Sequence, residues 1–187
     1  MGINIIRPIV AATPRTYDAI VAPSGGDYTD PNDAIVAGKK NIFIKNGTYG
    51  DGTGTIGISS DISITGESLA AQVNYTLSDS GVAVSTLLLE NFSFKSMYIT
   101  TVGSSNIHLT NCKSYITSQS NAINNVNGLF ISKCTNASDV SWSLDRSYVF
   151  VYLTTDLYLA GGDVLSGVIF GSTLGYSAWG AATSKLL

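Results

Sequence analysis

Charge is scarce in this chain: of 187 residues only 12% are Asp, Glu, Lys or Arg, and the formal net charge is -3. Without a basic face to replace counterions on phosphates, nucleic-acid binding is not expected. Histidine occurs once, at His108, and cysteine twice, at Cys112 and Cys134. That falls short of a closed zinc set, so no metal and no cofactor are expected. No apolar run approaches the length that spans a bilayer, and membrane insertion is not expected. In the first 22 residues Arg7, Pro8, Pro14 and Arg15 interrupt any continuous apolar stretch, so no secretory signal is read there. The expectation is residence in the producing cell or exit by a route that needs no such signal.

With so few charges, the polar surface must come from Ser, Thr, Asn and Gly, a composition that suits a β-rich chain with many turns. Asn41-Ile42-Phe43-Ile44-Lys45-Asn46-Gly47 sets a pattern that returns six times, as short apolar-x-apolar segments each followed by a turn. The first apolar residues of the seven segments are 42, 62, 87, 107, 129, 149 and 168, in steps of 20, 25, 20, 22, 20 and 19. A strand and turn recurring at that period is the signature of a solenoid. Side chains alternate between the two faces of a strand. The inward pairs are Ile42/Ile44, Ile62/Ile64, Leu87/Leu89, Ile107/Leu109, Leu129/Ile131, Val149/Val151 and Val168/Phe170, and every member is apolar. Stacked coil on coil they form continuous interior columns in a rod about 30–35 Å long. An antiparallel sandwich also alternates, but it needs hairpin signals every 8–12 residues or so. Asn-Gly occurs here only at 46–47 and 127–128. The expected fold is therefore all-β, a single-stranded right-handed parallel β-helix of about seven coils.

The N-terminal region divides into an arm at 1–17 and a capping strand and helix at 18–40. Asp30 reads as an N-cap with Pro31 in the first helical position. The short amphipathic helix that follows, stopping at Gly38, is placed to cover the open end of the core. The β-helix itself is expected over 41–174. Residues 175–187, with Tyr176 and Trp179, form a C-terminal cap or tail, or join a partner.

The order Ile20-Val21-Ala22, Gly26-Asp27-Tyr28-Thr29, Asp33-Ala34-Ile35, Ile42 to Tyr49 and Ile62 to Glu67 resembles the opening of the pectin-lyase-like right-handed parallel β-helices. These include pectate lyases, pectin methylesterases and many phage tailspikes. The resemblance covers residues 18–68 and continues beyond only as the coil rhythm. It implies the fold and leaves the activity open.

At the corner after each strand stand Asn46, Gly66, Asn91, Asn111 and Lys133 in turn. Asn46, Asn91 and Asn111 are read as a structural asparagine stack that Gly66 interrupts. Cys112 and Cys134 lie 22 apart, as do Ile107 and Leu129, so they occupy one slot in adjacent coils. Their Cα atoms should then lie about 4.8 Å apart, a separation a disulfide tolerates. The preferred alternative is a pair of buried free thiols in a column that Phe92 begins.

Resemblance to pectate lyases implies acidic calcium ligands and an arginine base on the outer face of one sheet. The outward strand positions supply one carboxylate, Glu90. The Asp pair, Gly-His-Gly and Arg-Ile-Lys segments of polygalacturonases are missing, as is the Gln-Asp of methylesterases. Glycosidic hydrolysis generally wants two carboxylates in one cleft. Glu90 and Asp145 are expected three coils apart, with Asp145-Arg146 in a linker. His108, a lone outward imidazole beside Leu88 and Phe130, reads as a surface side chain rather than a base, and no catalytic residue is assigned. Four sequons, at Asn46, Asn74, Asn91 and Asn136, are about what chance gives in so Asn- and Ser-rich a chain.

The outward residues Phe43, Leu88, Phe130, Phe150, Tyr152 and Ile169 are apolar or aromatic where a solitary rod should be polar. With His108 they are the expected contact surface, unless the N-terminal arm or the 66–87 segment folds over it. The functional expectation is a non-enzymatic structural or recognition protein, a virus or phage particle component such as a spike, fibre or appendage. It would self-associate, a trimer being favoured, or join a larger viral assembly, in a virion or extracellular setting. Tyr, Trp and Asn side chains on the sheet face would serve to bind a glycan. The alternatives are a polysaccharide-active lyase or hydrolase and a cell-surface adhesin module.

Overall fold

A computed structural model describes residues 15–79, 86–99, 106–114, 121–124, 128–136, 142–145, 148–152, 159–160 and 166–170, with side chains as far as 114 and again at 130–134. The first elements are β1 (Ala19–Val21), α1 (Pro31–Val36), β2 (Asn41–Ile44), β3 (Gly47–Tyr49), β4 (Thr55–Ile58) and β5 (Ile62–Gly66). Then come β6 (Ala71–Asp79), β7 (Thr86–Glu90), β8 (Ser93–Ile99), β9 (Asn106–Thr110), β10 (Lys113–Ser114) and β11 (Asn121–Asn124). The last are β12 (Gly128–Ser132), β13 (Thr135–Asn136), β14 (Trp142–Asp145), β15 (Tyr148–Tyr152), β16 (Leu159–Ala160) and β17 (Ser166–Phe170).

The chain is all-β with almost no helix. Its strands pair mostly in parallel and stack as a solenoid of about four turns. One sheet has eight strands in the order β1-β2-β5-β7-β9-β12-β15-β17. Its neighbours are one coil apart in sequence, as a solenoid requires. The strands between them form a second sheet of nine, including β6, β8, β10, β11 and β14. The strands of this second sheet escape the sequence pattern, and Asp145 lies in β14 rather than in a linker. The 66–87 segment likewise contributes β6, nine residues long, to the second sheet.

The interior follows from alternation. Ala19, Ile42, Ile64, Leu89, Leu109 and Ile131 occupy one line of register partners, and all are buried. Ile62, Leu87 and Ile107 form the line beside it. From the second sheet Tyr49, Ile56, Val73, Leu77, Phe94 and Met97 complete the core.

The register departs from the sequence spacing in two places. β2 and β5 pair Ile42 with Ile64, not Ile62. A two-residue slip keeps every side chain on its own face, so alternation alone cannot choose between the two registers. At the far end Phe150 pairs with Val168 and Val151 with Ile169. Ile169 thus shares the register line of Val151 instead of joining Phe150.

The chain turns from the first sheet into the second at residues with left-handed backbone: Asn91 (φ 63), Asn111 (φ 49) and Lys133 (φ 54). Each is followed by a buried side chain, Phe92, Cys112 and Cys134. Near the N-terminus the Asp30 side chain accepts the Asn32 N–H at 2.8 Å and starts α1 at Pro31. Ala34 is buried against the first strands, Val36 is exposed, and Gly38 ends the segment at φ 76.

Candidate functional site

The first sheet has two rows of residues that run along its outer face from coil to coil. Asn41, Ser63, Leu88, His108, Phe130 and Phe150 hold successive register positions in one row. Ile20, Phe43, Thr65, Glu90, Thr110, Ser132 and Tyr152 hold the other. The single apolar column expected from spacing is therefore divided. Phe43 stands beside Thr65 rather than Ser63, because β2 and β5 pair two residues away from the expected register, whereas Leu88 stands beside Ser63 as the spacing predicts. Side chains at Phe150, Tyr152 and Ile169 lie outside those described.

In the first row Leu88 and Phe130 are exposed, at 39% and 42%, with His108 half-buried between them. The His108 and Phe130 rings stack face to face, centroids 4.5 Å apart at 11°. Neighbouring parallel strands are about that far apart, so adjacent coils bring the two rings into contact without distortion.

Between the rows lies a groove of about 480 Å³, lined among others by Arg15, Asn41, Ser63, Glu90, His108 and Thr110. Arg15 donates to Glu90 Oε2 and, at 3.3 Å, to Thr65 Oγ1. The hydrogen bond and charge of Glu90 raise the guanidinium pKa further, so Arg15 stays cationic at any working pH. Two residues on, the Tyr17 ring packs against Phe43, centroids 5.0 Å apart. Residues 15–17, expected as the end of an arm, thus lie on this face and shield Phe43, while Leu88 and Phe130 stay open. Arg15, Tyr17, Asn41 and Ser63 were not expected as members of the site. No local motif marks the two arm residues; Asn41 and Ser63 follow once the register is known.

Chemically the groove offers one carboxylate, already held by a guanidinium, one imidazole, and hydroxyl and amide groups at Ser63, Thr110 and Asn41. Among the described residues no three His, Cys, Asp or Glu side chains converge on a point that would hold a metal ion. Such a set can bind a polar ligand by hydrogen bonds beside an apolar row. Proton transfer through Glu90 would first require its release from Arg15.

At the corner, Asn91 donates from Nδ2 to the carbonyls of Gly66 and Glu67 at 2.9 Å each, and Asn111 donates to Asn91 Oδ1 at 2.6 Å. Asn46 stands apart from this pair. Its side-chain oxygen accepts the Ser68 hydroxyl at 2.7 Å, and its N–H donates to Glu67 Oε2. Cys112 and Cys134 are both free and buried.

Among the described residues no helix is long and apolar enough to cross a membrane. No protein-family model, no curated protein and no solved structure matches this chain.

Proposed function

We propose that this chain is a non-enzymatic structural and recognition protein that self-associates along the outer face of its first sheet. The observation behind this is the row Leu88, His108 and Phe130, which keeps two large apolar side chains open to solvent on a regular, rigid surface. Large apolar side chains exposed along one row usually mark a contact surface. In this proposal the solenoid is a right-handed parallel β-helix of the pectin-lyase-like kind, running through seven coils, with α1 as lid over its N-terminal end. Three copies packed side by side would close a ring and bury the row on each. The adjoining groove, with Asn41, Ser63 and Thr110 beside the apolar row, would take a glycan. The setting, a spike, fibre or appendage of a virus or phage particle, rests on the resemblance of residues 18–68 alone. A fold does not by itself fix a function.

Sedimentation velocity of the purified full chain over a wide concentration range tests the assembly. A trimer is expected, shifting to monomer in Leu88→Asp and Phe130→Asp variants that keep the wild-type circular dichroism. A monomer at every concentration overturns self-association. The second reading, a polysaccharide-active enzyme, draws on Glu90 and His108 lining one groove. Cleavage of anionic or neutral polysaccharides, lost in Glu90→Ala, would replace the first reading with it.

A further inference from the structure

We propose that Cys112 and Cys134 are a redox-responsive pair that closes into a disulfide joining two adjacent coils. β9 and β12 run in parallel with a constant offset, from Asn106 beside Gly128 to Thr110 beside Ser132. β10 and β13 continue it, with Lys113 beside Thr135. Cys112 and Cys134 sit between these two stretches, at the same offset. The residue before each, Asn111 and Lys133, has the same left-handed backbone, so the chain turns identically and both side chains enter the same slot. Register neighbours on parallel strands lie about 4.8 Å apart, within the Cα range that disulfides adopt.

Both thiols are 2% exposed. Besides each other, they make long contacts to backbone oxygens: Cys112 Sγ to the carbonyls of Leu89 and Thr110 at 3.4 Å, and Cys134 Sγ to that of Ser132 at 3.5 Å. These are weak interactions, so bringing the sulfurs together breaks no strong bond. One coil earlier the slot holds Phe92, as the pairing of Lys113 with Ser93 shows, so Cys112 has no competing cysteine on that side. Burial pushes the Cys112 thiol pKa well up, and the hydrogen bond between the two thiols lowers that of Cys134.

The oxidant is a low-molecular-weight disulfide. The Cys134 thiolate attacks one of its sulfurs, its S–S bond breaks, and the first small thiolate leaves and takes up a proton. Cys112 then loses its proton to solvent and attacks Cys134 Sγ in the mixed disulfide, expelling the second small thiolate, which is protonated in turn. Two protein thiols are oxidised and one small disulfide is reduced to two thiols. The new bond would tie together the two coils whose strands carry the stacked His108 and Phe130 rings, and so fix the spacing of the exposed row. The inference stands apart from the proposed function, since it concerns an interior corner.

The test equilibrates the full chain in glutathione buffers of graded oxidised-to-reduced ratio. The chain is refolded from urea in each buffer, so that burial does not block access. Free thiols are then counted after acid quenching, and chain mass is read on a non-reducing gel and by mass spectrometry. The expected result is paired loss of both thiols at the mass of one chain less two hydrogens, reversed by dithiothreitol. Half-conversion should come at an oxidised-to-reduced ratio at least tenfold lower for the folded chain than for the same chain held in urea. Cys112→Ser and Cys134→Ser should each leave the partner unable to form an internal bond. Half-conversion at an equal or higher ratio in the folded chain overturns the proposal, as does formation only of glutathione adducts or of bonds between chains.

Discussion

Asn111 donates its side-chain N–H to Asn91 Oδ1 across 2.6 Å, and both residues hold left-handed backbone at the same corner of successive coils. Asn tolerates that conformation better than other residues with a Cβ. At Asn91 the amide also binds the carbonyls of Gly66 and Glu67. Asn91→Ala should therefore lose these bonds and add backbone strain, costing roughly 2–3 kcal/mol. Asn91→Gly relieves the strain and should cost about 1 kcal/mol less. Urea unfolding of the two variants checks the order; Gly proving no milder than Ala would remove backbone conformation from the account.

Beneath that corner, Gly66 has no room for a side chain. A Cβ there would stand 2.3 Å from the Asn91 carbonyl oxygen and 2.6 Å from Phe92 Cβ. Neither neighbour is the yielding end of a flexible side chain, so the coils themselves must part. Gly66→Ala should cost about 3 kcal/mol or more, or prevent folding. Gly38→Ala is the control: its φ is 76 but its surroundings are open, and only about 1 kcal/mol is expected. Equal unfolding midpoints for the two variants would show that the coils are not packed this closely.

The interior was legible in the sequence because alternation is a local property. Ile42, Ile44, Leu87 and Leu109 needed nothing but their own strands to be placed inward, and Asp30 with Pro31 marked the helix start by local chemistry. Register was legible from Ile62 through Val149, which pair as their spacing predicts. It was not legible between β2 and β5, where a slip of two residues leaves the pattern unchanged, nor between β15 and β17, which pair one residue away. The Ile42–Ile64 pairing depends on how the coil closes through the second sheet. That sheet was invisible for a related reason: strands such as Lys113–Ser114 are two residues long and show no period. In the candidate site, Leu88, His108 and Phe130 could be placed together from spacing. Arg15 could not, since its contact with Glu90 spans 75 positions and only the folded sheet brings them together.

Tyr75 ties the second sheet to the start of α1. Its hydroxyl donates to Asp30 Oδ2 at 2.7 Å, while Asp30 Oδ1 caps the helix. The hydrogen bond to Asp30, with desolvation and nearby carboxylates, raises the phenol from the usual value of 10.0 to about 12. A raised folded-state pKa means that the neutral phenol favours folding. Its contribution is complete below pH 10 and is lost as pH rises towards 12. Tyr75→Phe should cost on the order of 1–2 kcal/mol at neutral pH. The stability gap between wild type and Tyr75→Phe should narrow through that alkaline window. Chemical denaturation of both proteins from pH 8 to 12 measures it, and a gap constant across the range would show that the phenol is not coupled to folding.

At the N-terminal edge of the first sheet, the chain closes its own outermost strand. Asp27 Oδ2 accepts the Ile20 N–H at 2.8 Å, and the Asp27 N–H donates to the Ile20 carbonyl at 2.8 Å. Ala22 and Tyr28 add a further bond, the Ala22 N–H donating at 3.0 Å. An open edge offers a row of unpaired donors and acceptors to any other strand, and inward-aimed charge is a common protection. The Asp27 carboxylate serves both needs, satisfying the amide and setting a charge where a foreign strand would pair. Asp27→Ala should leave the Ile20 amide exposed, raise its hydrogen-exchange rate about tenfold or more for the loss of roughly 1.5 kcal/mol of charged hydrogen bonding, and promote association through this edge. Asp27→Asn keeps an acceptor without the charge. It should therefore preserve most of the exchange protection while still associating more than wild type. Exchange measured by mass spectrometry over residues 18–28, with light scattering of the same samples, separates the two roles. Unchanged exchange in Asp27→Ala would mean that the backbone bonds alone seal the edge.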